Sequence, residues 1–345
     1  MAWDLPWLCA CVSGRKRSAT APESQTGFDH RWCAAGAWGT GVNLPERVII
    51  CEQGARDGIQ TVPAFIPTER KIELIDALSD TGVPLIEAAS FVSARALPQL
   101  RDAEEVMARI KRRPGTRYTV IVPNATGAYR ALAAGADEMG VFLSASDTHN
   151  QHNVNMSTRD SITALAEVMD IAKDAGIPVY GAAGTIFGCP YEGDMPPERV
   201  AWVMEEVLNL GCYRVVLGDT TGMANPRQVE QLMSYLVDRF PETPISLHFH
   251  DNRGMGLANI LAAMQVGISR FDASVGGLGG SPTPGAMGNV CSEDLVHMLH
   301  ELGVETGIDL DKLIACARLA GELTGKSLPG HVVKAGKRSE LACAN

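Results

Sequence analysis

The sequence lacks the features that mark membrane and secreted proteins. None of its apolar runs approaches the ~20 residues that a transmembrane helix needs. The first residues, to about position 45, lack the uninterrupted apolar stretch of a secretory signal. An organellar transit peptide is less favoured, because Asp4, Glu23 and Asp29 are unexpected in an acid-poor segment. We therefore expect residues 1–45 to be a poorly ordered extension and the protein to be cytoplasmic.

The chain also lacks an excess of positive charge and any close cysteine motif. Its net charge of -10 argues against nucleic acid or an anionic membrane surface as the main partner. Nine cysteines are scattered through the chain, and the close pair Cys9 and Cys11 does not have the two-residue spacing of a zinc site. Reduced thiols in a cytosol are the simplest interpretation.

What the sequence does contain is a repeated alternation of apolar runs and amphipathic stretches. The runs recur about every 30 to 35 residues from position 48, and glycines such as Gly82 and Gly176 end several of the stretches. The eight runs are residues 48–52, 85–89, 118–122, 138–143, 178–183, 214–219, 245–250 and 270–274. Eight strand-helix units predict a (β/α)8 TIM barrel, an α/β fold. A doubly wound sheet is the alternative, but no glycine-rich phosphate turn follows the first strand.

The boundaries of this domain follow from the same pattern. We predict a catalytic barrel with closing helices over residues 46–325 and a tail over residues 326–345. A closing helix is expected at 292–302. An additional C-terminal helix is expected at 310–323, without a ninth strand before it.

Polar residues at the carboxyl ends of barrel strands are candidates for catalysis, because active sites of such barrels lie at that face. Those residues are Arg56, Asp57, Glu87, Asn124, Asp219, Thr220, His248 and His250, with Asn289 beyond the last strand.

Two histidines in one predicted strand indicate a metal site. His248 and His250 are two residues apart, so their side chains would point to the same side of the strand. With the carboxylate of Asp57 they form a set that commonly holds a divalent cation, and Asn289 could be a fourth ligand. Arg56 and Asp57 lie on a predicted turn hinged by glycines, where such a pair is often merely solvated.

Several ordered motifs closely resemble those of the 3-hydroxy-3-methylglutaryl-CoA (HMG-CoA) lyase family. They are Arg-Asp-Gly-Ile-Gln at 56–60, Ile-Glu-Ala-Ala-Ser-Phe-Val-Ser at 86–93, Gly-Cys-Pro-Tyr-Glu-Gly at 188–193, Leu-Gly-Asp-Thr at 217–220, His-Phe-His-Asp at 248–251, the glycine run at 276–280 and Gly-Asn at 288–289. The resemblance extends from about residue 48 to about residue 323. It implies a homodimer that acts on a small-molecule acyl-CoA.

The resemblance also implies roles for individual residues. Asp57, His248, His250 and Asn289 would bind Mg²⁺ or Mn²⁺, and Arg56 would hold the thioester oxygen as it becomes an enolate. Glu87 would line the reaction centre or orient Arg56. The predicted catalytic residues are Arg56, Glu87, Asp219, His248 and Ser281. The predicted substrate-binding residues are Arg56, Gln60, Ser90, Asn124 and Thr220.

One short segment departs from the family. The lyases have a cysteine after the glycine run, whereas this chain has Ser281, followed by Thr283 and Pro284 and by a shorter interval to Asn289. Compared with a thiol, whose pKa is near 8.5, a serine hydroxyl has a much higher pKa and is a poor general acid or base. We predict a metal-dependent lyase for HMG-CoA or a related 3-hydroxyacyl-CoA. A condensing enzyme or oxo-acid aldolase on the same metal site is the alternative, and an inactive binding subunit is a third.

Overall fold

The computed structural model describes residues 43–280 and 288–340. Ser281, Thr283 and Pro284, residues 1–42 of the extension predicted at 1–45, and the last five residues lie outside the described residues. Within the described ranges, no helix combines the length and the apolar character that crossing a bilayer requires.

Eight parallel strands form a closed barrel in chain order, which confirms the predicted (β/α)8 fold. The strands are β1 Ile49–Glu52, β2 Leu85–Ser90, β3 Arg117–Ile121, β4 Glu138–Ser144, β5 Val179–Gly184, β6 Arg214–Asp219, β7 Ile245–Phe249 and β8 Arg270–Ala273. The barrel closes where β1 pairs with β8, Ile50 opposite Phe271. β7 ends one residue earlier than predicted because His250 bridges to Asn289 rather than to a neighbouring strand.

Helices follow every strand and cover the outside of the barrel. They are α1 Thr68–Ser79, α2 Ala103–Arg109, α3 Ala125–Ala133, α4 Asp147–Val154, α5 Thr158–Ala175, α6 Pro197–Asn209, α7 Pro226–Arg239, α8 Gly256–Gln265, α9 Ser292–Glu301, α10 Leu310–Thr324 and α11 Val332–Ala335. Their apolar faces pack on the strands, as the buried Val200, Val203 and Met204 of α6 illustrate. Gly82 and Gly176 have the positive φ expected after a helix.

Part of the segment predicted as a tail packs against the barrel. Leu328 is buried, and a Cβ placed on Gly276 would lie 2.2 Å from its Cδ1. Asp294 at the start of α9 accepts hydrogen bonds from the backbone N–H groups of His331 and Val332, the latter at 2.7 Å. The segment therefore lies directly against the beginning of the glycine run at 276–280.

The residues after β1 form a π-helical turn, Gly54–Gly58, rather than the turn hinged by glycines that the sequence predicted. Neither glycine has a positive φ. Gly54 is needed because there is no room for a side chain at this position. A Cβ on Gly54 would lie 2.6 Å from Cγ1 of Val275 and 2.7 Å from Oε1 of Glu52. π-helical turns occur often at functional sites.

We expect Gly54→Ala to lower the free energy of unfolding by roughly 1–3 kcal/mol, the usual cost of overpacking a filled core. Glu52 cannot move aside easily, because its carboxylate accepts hydrogen bonds from Gly54 N–H, Val275 N–H and the Ser292 hydroxyl. Urea denaturation would measure the loss. Gly321→Ala in α10 is the control, since its Cβ would meet no atom closer than 3.5 Å, and it should be neutral or stabilising. Equal stability of the two variants would contradict the packing argument.

Candidate metal and active site

Three side chains converge at the carboxyl end of the barrel in a geometry suited to a cation. Asp57, His248 and His250 each offer a ligand atom, and these atoms lie within 4.8 Å of one another. The two imidazole centroids are 5.2 Å apart. Asp57 is buried, so the Arg56–Asp57 pair is not the solvated surface pair considered as an alternative.

Asn289 reaches this group through the backbone. Residues 288–290 run beside the end of β7: Asp251 N–H donates to Gly288 O at 3.0 Å, and Val290 N–H donates to Phe249 O at 3.2 Å. The Asn289 side-chain amide then donates from Nδ2 to Asp57 Oδ2 at 2.7 Å. This hydrogen bond uses the nitrogen of the amide, so the amide oxygen Oδ1 remains available as a ligand.

Two buried polar atoms of the group support its fit to a metal. Nδ1 of His250 and Oδ1 of Asn289 are buried and have no hydrogen-bond partner among the described residues. Such atoms are costly unless another group satisfies them. Nitrogen and oxygen donors with one carboxylate match the ligands that divalent cations take. The residues present therefore fit a divalent cation.

The pKa values of the two histidines shift in opposite directions because their surroundings differ. Nδ1 of His248 lies 3.1 Å from Oδ2 of the buried Asp272 on β8, and although burial lowers the pKa of His248, this contact raises it overall. Because Nδ1 is engaged by Asp272, Nε2 is the nitrogen of His248 that remains for a metal. Burial, with the neighbouring His248, lowers the pKa of His250 to about 4, so this imidazole is neutral and able to bind a metal.

Arg56 is held by carboxylates on two sides. Its Nε and Nη2 contact Glu87 Oε1, and its Nη1 donates to Asp57 Oδ1 at 2.8 Å. Burial would lower the pKa of Arg56, but Glu87 and Asp57 raise it overall, so the guanidinium stays charged. Gln60 donates from Nε2 to the same Asp57 oxygen at 2.5 Å. Glu87 therefore contacts Arg56 directly, as a residue that orients the guanidinium would have to do.

Asp219 ends β6 near His248 and is almost fully buried. Burial raises its pKa to about 6, although the N–H groups of Met223 and Ala224 donate to the carboxylate and oppose that rise. A carboxyl group with this pKa can exchange a proton near neutral pH.

The remaining predicted substrate residues lie around the same face without joining the ligand group. Ser90 is buried at the end of β2, and Thr220 accepts a hydrogen bond from Thr185 N–H at 3.0 Å. Asn124 is exposed and caps α3 by accepting from Gly127 N–H at 3.0 Å. None of the hydrogen bonds within residues 43–280 and 288–340 joins these three to Asp57 or the histidines.

Sequence reasoning missed Asp272 and Thr185. Asp272 lies inside β8 rather than after it, so the search at strand ends passed over it; an acid within an apolar strand was the available signal. Thr185 has a φ of 61°, which a β-branched residue rarely adopts. Such strain is concentrated at functional sites, and the sequence gives no sign of it.

Comparisons with known proteins agree on one family. The HMGL-like family model matches residues 47–320. The chain is 45% identical over 296 residues to the hydroxymethylglutaryl-CoA lyase of Bacillus subtilis, covering 86% of this chain and 99% of that protein. It is 46% identical over 272 residues to the mitochondrial hydroxymethylglutaryl-CoA lyase of Gallus gallus, covering 79% and 91%. An HMG-CoA lyase structure from Acinetobacter baumannii, in complex with coenzyme A and 3-methylmalate, superposes with a TM-score of 0.84 at 44% identity and covers 87% of this chain and 98% of that one.

Proposed function

Because this chain belongs to the HMG-CoA lyase family, we propose that it cleaves HMG-CoA to acetyl-CoA and acetoacetate by retro-Claisen chemistry. One observation carries the proposal: Arg56 is hydrogen-bonded to the candidate metal site. Its Nη1 donates to Asp57, which forms that site with His248 and His250. A fixed positive charge beside a cation site suits a reaction that develops an enolate.

The reaction breaks the bond between C2 and C3 of the thioester. The proton of the 3-hydroxyl leaves, C3 becomes the ketone carbon of acetoacetate, and the electron pair moves to C2 and the thioester oxygen. We assign Asp219 to take the hydroxyl proton, which its pKa of about 6 permits at neutral pH. Arg56 would hold the thioester oxygen as negative charge develops there. Asp219 then gives up the proton that it took, directly or through water, and its delivery to C2 yields acetyl-CoA, so the proton count balances.

We assign the metal to Asp57, His248, His250 and Asn289, with Mg²⁺ or Mn²⁺ as the ion. When bound, such a cation would polarise the substrate oxygens and lower the pKa of the hydroxyl. Asp272 would support the site by fixing the ring of His248.

We further propose that the enzyme is a cytoplasmic homodimer. The five cysteines within the described ranges are free and buried, as expected of reduced thiols. Similar proteins are named as cytoplasmic in Danio rerio and as mitochondrial in Bos taurus.

Incubation of the purified protein with Mn²⁺ and a panel of acyl-CoA thioesters tests the proposal. Mass spectrometry should detect acetyl-CoA released from HMG-CoA. A condensing enzyme would instead consume acetyl-CoA when an oxo acid is supplied, and an inactive binding subunit would do neither. Release from another 3-hydroxyacyl-CoA alone would keep the lyase reaction and change the substrate.

A related 3-hydroxyacyl-CoA is the second candidate substrate, and Ser281 favours it. Serine replaces the family's loop cysteine, and Thr283, Pro284 and the shorter interval to Asn289 change the same loop sequence. Several changes within one loop are more consistent with a different substrate than with simple loss of a thiol.

We expect Ser281→Cys to change turnover of HMG-CoA by less than about tenfold, because the loop changes would misplace the thiol, and a small misplacement can cost as much as the group supplies. Steady-state kinetics of the parent, Ser281→Cys and Ser281→Ala proteins would measure this, with the alanine variant reporting what the hydroxyl contributes. A gain of about 10²-fold or more, the usual value of general acid–base catalysis, would show that the loop had only lost its thiol.

A further inference from the structure

Glu87 has a second partner besides Arg56, and that partner lies deeper in the barrel. Oε1 of Glu87 contacts Arg56, while Oε2 accepts a hydrogen bond from the hydroxyl of Tyr180 on β5. Glu87 and Tyr180 are both almost fully buried. Burial raises the pKa of Glu87, and its contacts with Arg56 and Tyr180 oppose that rise.

Tyr180 is itself held rigidly. Its ring packs on the guanidinium of Arg214, whose Cζ lies 4.1 Å from the ring centroid. Arg214 is fixed in turn by the buried Glu138, with Nη2 to Oε2 at 3.0 Å and Nε to Oε1 at 3.2 Å. Gly140 on β4 provides the room, since a Cβ there would lie 2.3 Å from Cζ of Tyr180.

These contacts form one connected series of polar groups within the barrel. It runs from Glu138 through Arg214, Tyr180 and Glu87 to Arg56 at the mouth. Without the Tyr180 hydroxyl, Oε2 of Glu87 would lose its only donor among the described side chains that contact it. A buried carboxylate with an unpaired oxygen is costly, so the Glu87 side chain would turn or take up a proton and release Arg56.

We propose that Tyr180 is a positioning residue for catalysis, which holds Glu87 so that Glu87 fixes the Arg56 guanidinium on the developing thioester enolate. The inference rests on the proposed function. It does not require Tyr180 to touch the substrate. Loss of an outer partner at a metal site typically reduces activity 10- to 100-fold, and we expect a loss of similar size when this supporting hydrogen bond is removed.

The test compares two buried tyrosines that each lose one hydroxyl. Tyr180→Phe removes the group in question. Tyr118→Phe is the matched control, because Tyr118 is also buried in a strand of this barrel and bonds Ser79 Oγ at 2.9 Å, away from the site. Thermal melting checks that both variants fold. If Tyr180→Phe does not fold, Gly140→Ala tests the same point by displacing the ring while keeping the hydroxyl.

Two measurements separate positioning from general support of the fold. In kinetics on HMG-CoA, Tyr180→Phe should lower kcat about tenfold or more and leave KM within about twofold, whereas Tyr118→Phe should match the parent. In protein labelled with ¹⁵N-arginine, the Nε–H resonance of Arg56, assigned by its loss in Arg56→Lys, should exchange with water about tenfold faster in Tyr180→Phe only.

Unchanged exchange of the Arg56 Nε–H in Tyr180→Phe would overturn the inference. A kcat loss no larger than that of Tyr118→Phe would also overturn it. If the parent protein releases no acetyl-CoA from HMG-CoA, the proposed function fails instead, and the resonance comparison still decides whether Tyr180 positions Arg56.

Discussion

Replacing Arg56 by lysine should lower kcat for the proposed cleavage of HMG-CoA by about 10²–10³-fold, the usual cost of removing one group that stabilises a developing oxyanion. Lysine keeps the charge but cannot reproduce a planar fork that contacts Glu87 and Asp57 at once. KM should change much less, because the interaction strengthens as negative charge develops on the thioester oxygen. Steady-state kinetics at saturating metal would measure both parameters.

Arg112→Lys is the matched control for this substitution. Arg112 also pairs with a carboxylate, Asp137, at 2.9 Å, but it is outside the site. It should leave kcat unchanged. Equal turnover of Arg56→Lys and Arg112→Lys would remove Arg56 from the mechanism.

Replacing His250 by alanine should weaken Mn²⁺ binding by about 10³-fold or more, beyond the 10- to 100-fold that loss of an outer partner costs. His250 supplies a neutral imidazole, and its pKa of about 4 means that no proton has to leave before it binds a metal at neutral pH. The fold should survive, because Nδ1 of His250 makes no hydrogen bond to the described residues that the variant would break. Calorimetric titration with Mn²⁺ measures the affinity.

Two other variants serve as comparisons for the Mn²⁺ affinity of His250→Ala. Asp272→Asn removes the charge that fixes His248 and should weaken Mn²⁺ binding 10- to 100-fold. His300→Ala removes an exposed imidazole that contacts Thr306, and it should bind Mn²⁺ as the parent does. If His250→Ala also binds as tightly as the parent, the metal site is misassigned.

The barrel and the residues at its strand ends were predictable because both follow from local patterns. Apolar runs at regular spacing give parallel strands, and the carboxyl ends of such strands must lie on one face. The position of Asn289 needed more, since it depends on residues 288–290 running beside β7, a pairing that follows no strand pattern. The π-helical turn that carries Arg56 was likewise not predictable, since the sequence does not show that Gly54 packs closely against Val275 in a distant segment.

The supporting groups were harder to predict than the groups that they support. Glu138 and Arg214 begin the apolar strands β4 and β6, and Asp272 lies inside β8, so these charged residues could be noticed in the sequence. Their partners could not, because a contact such as Tyr180 to Glu87 joins residues 93 positions apart and depends on how the closed barrel aligns its strands. Sequence periodicity gives the face of a strand but not this alignment.

The hydrogen bond between Asn289 and Asp57 joins residues 232 positions apart, and this separation determines when the site can form during synthesis. At 5–20 residues per second, a ribosome needs about 10–50 s to add those residues. Throughout that interval the nascent chain carries Asp57 without its amide partner, and for most of it without either histidine. Because metal affinity depends on a completed set of ligands, we expect the cation to enter only after nearly the whole barrel has been made, and early-folding intermediates to be metal-free.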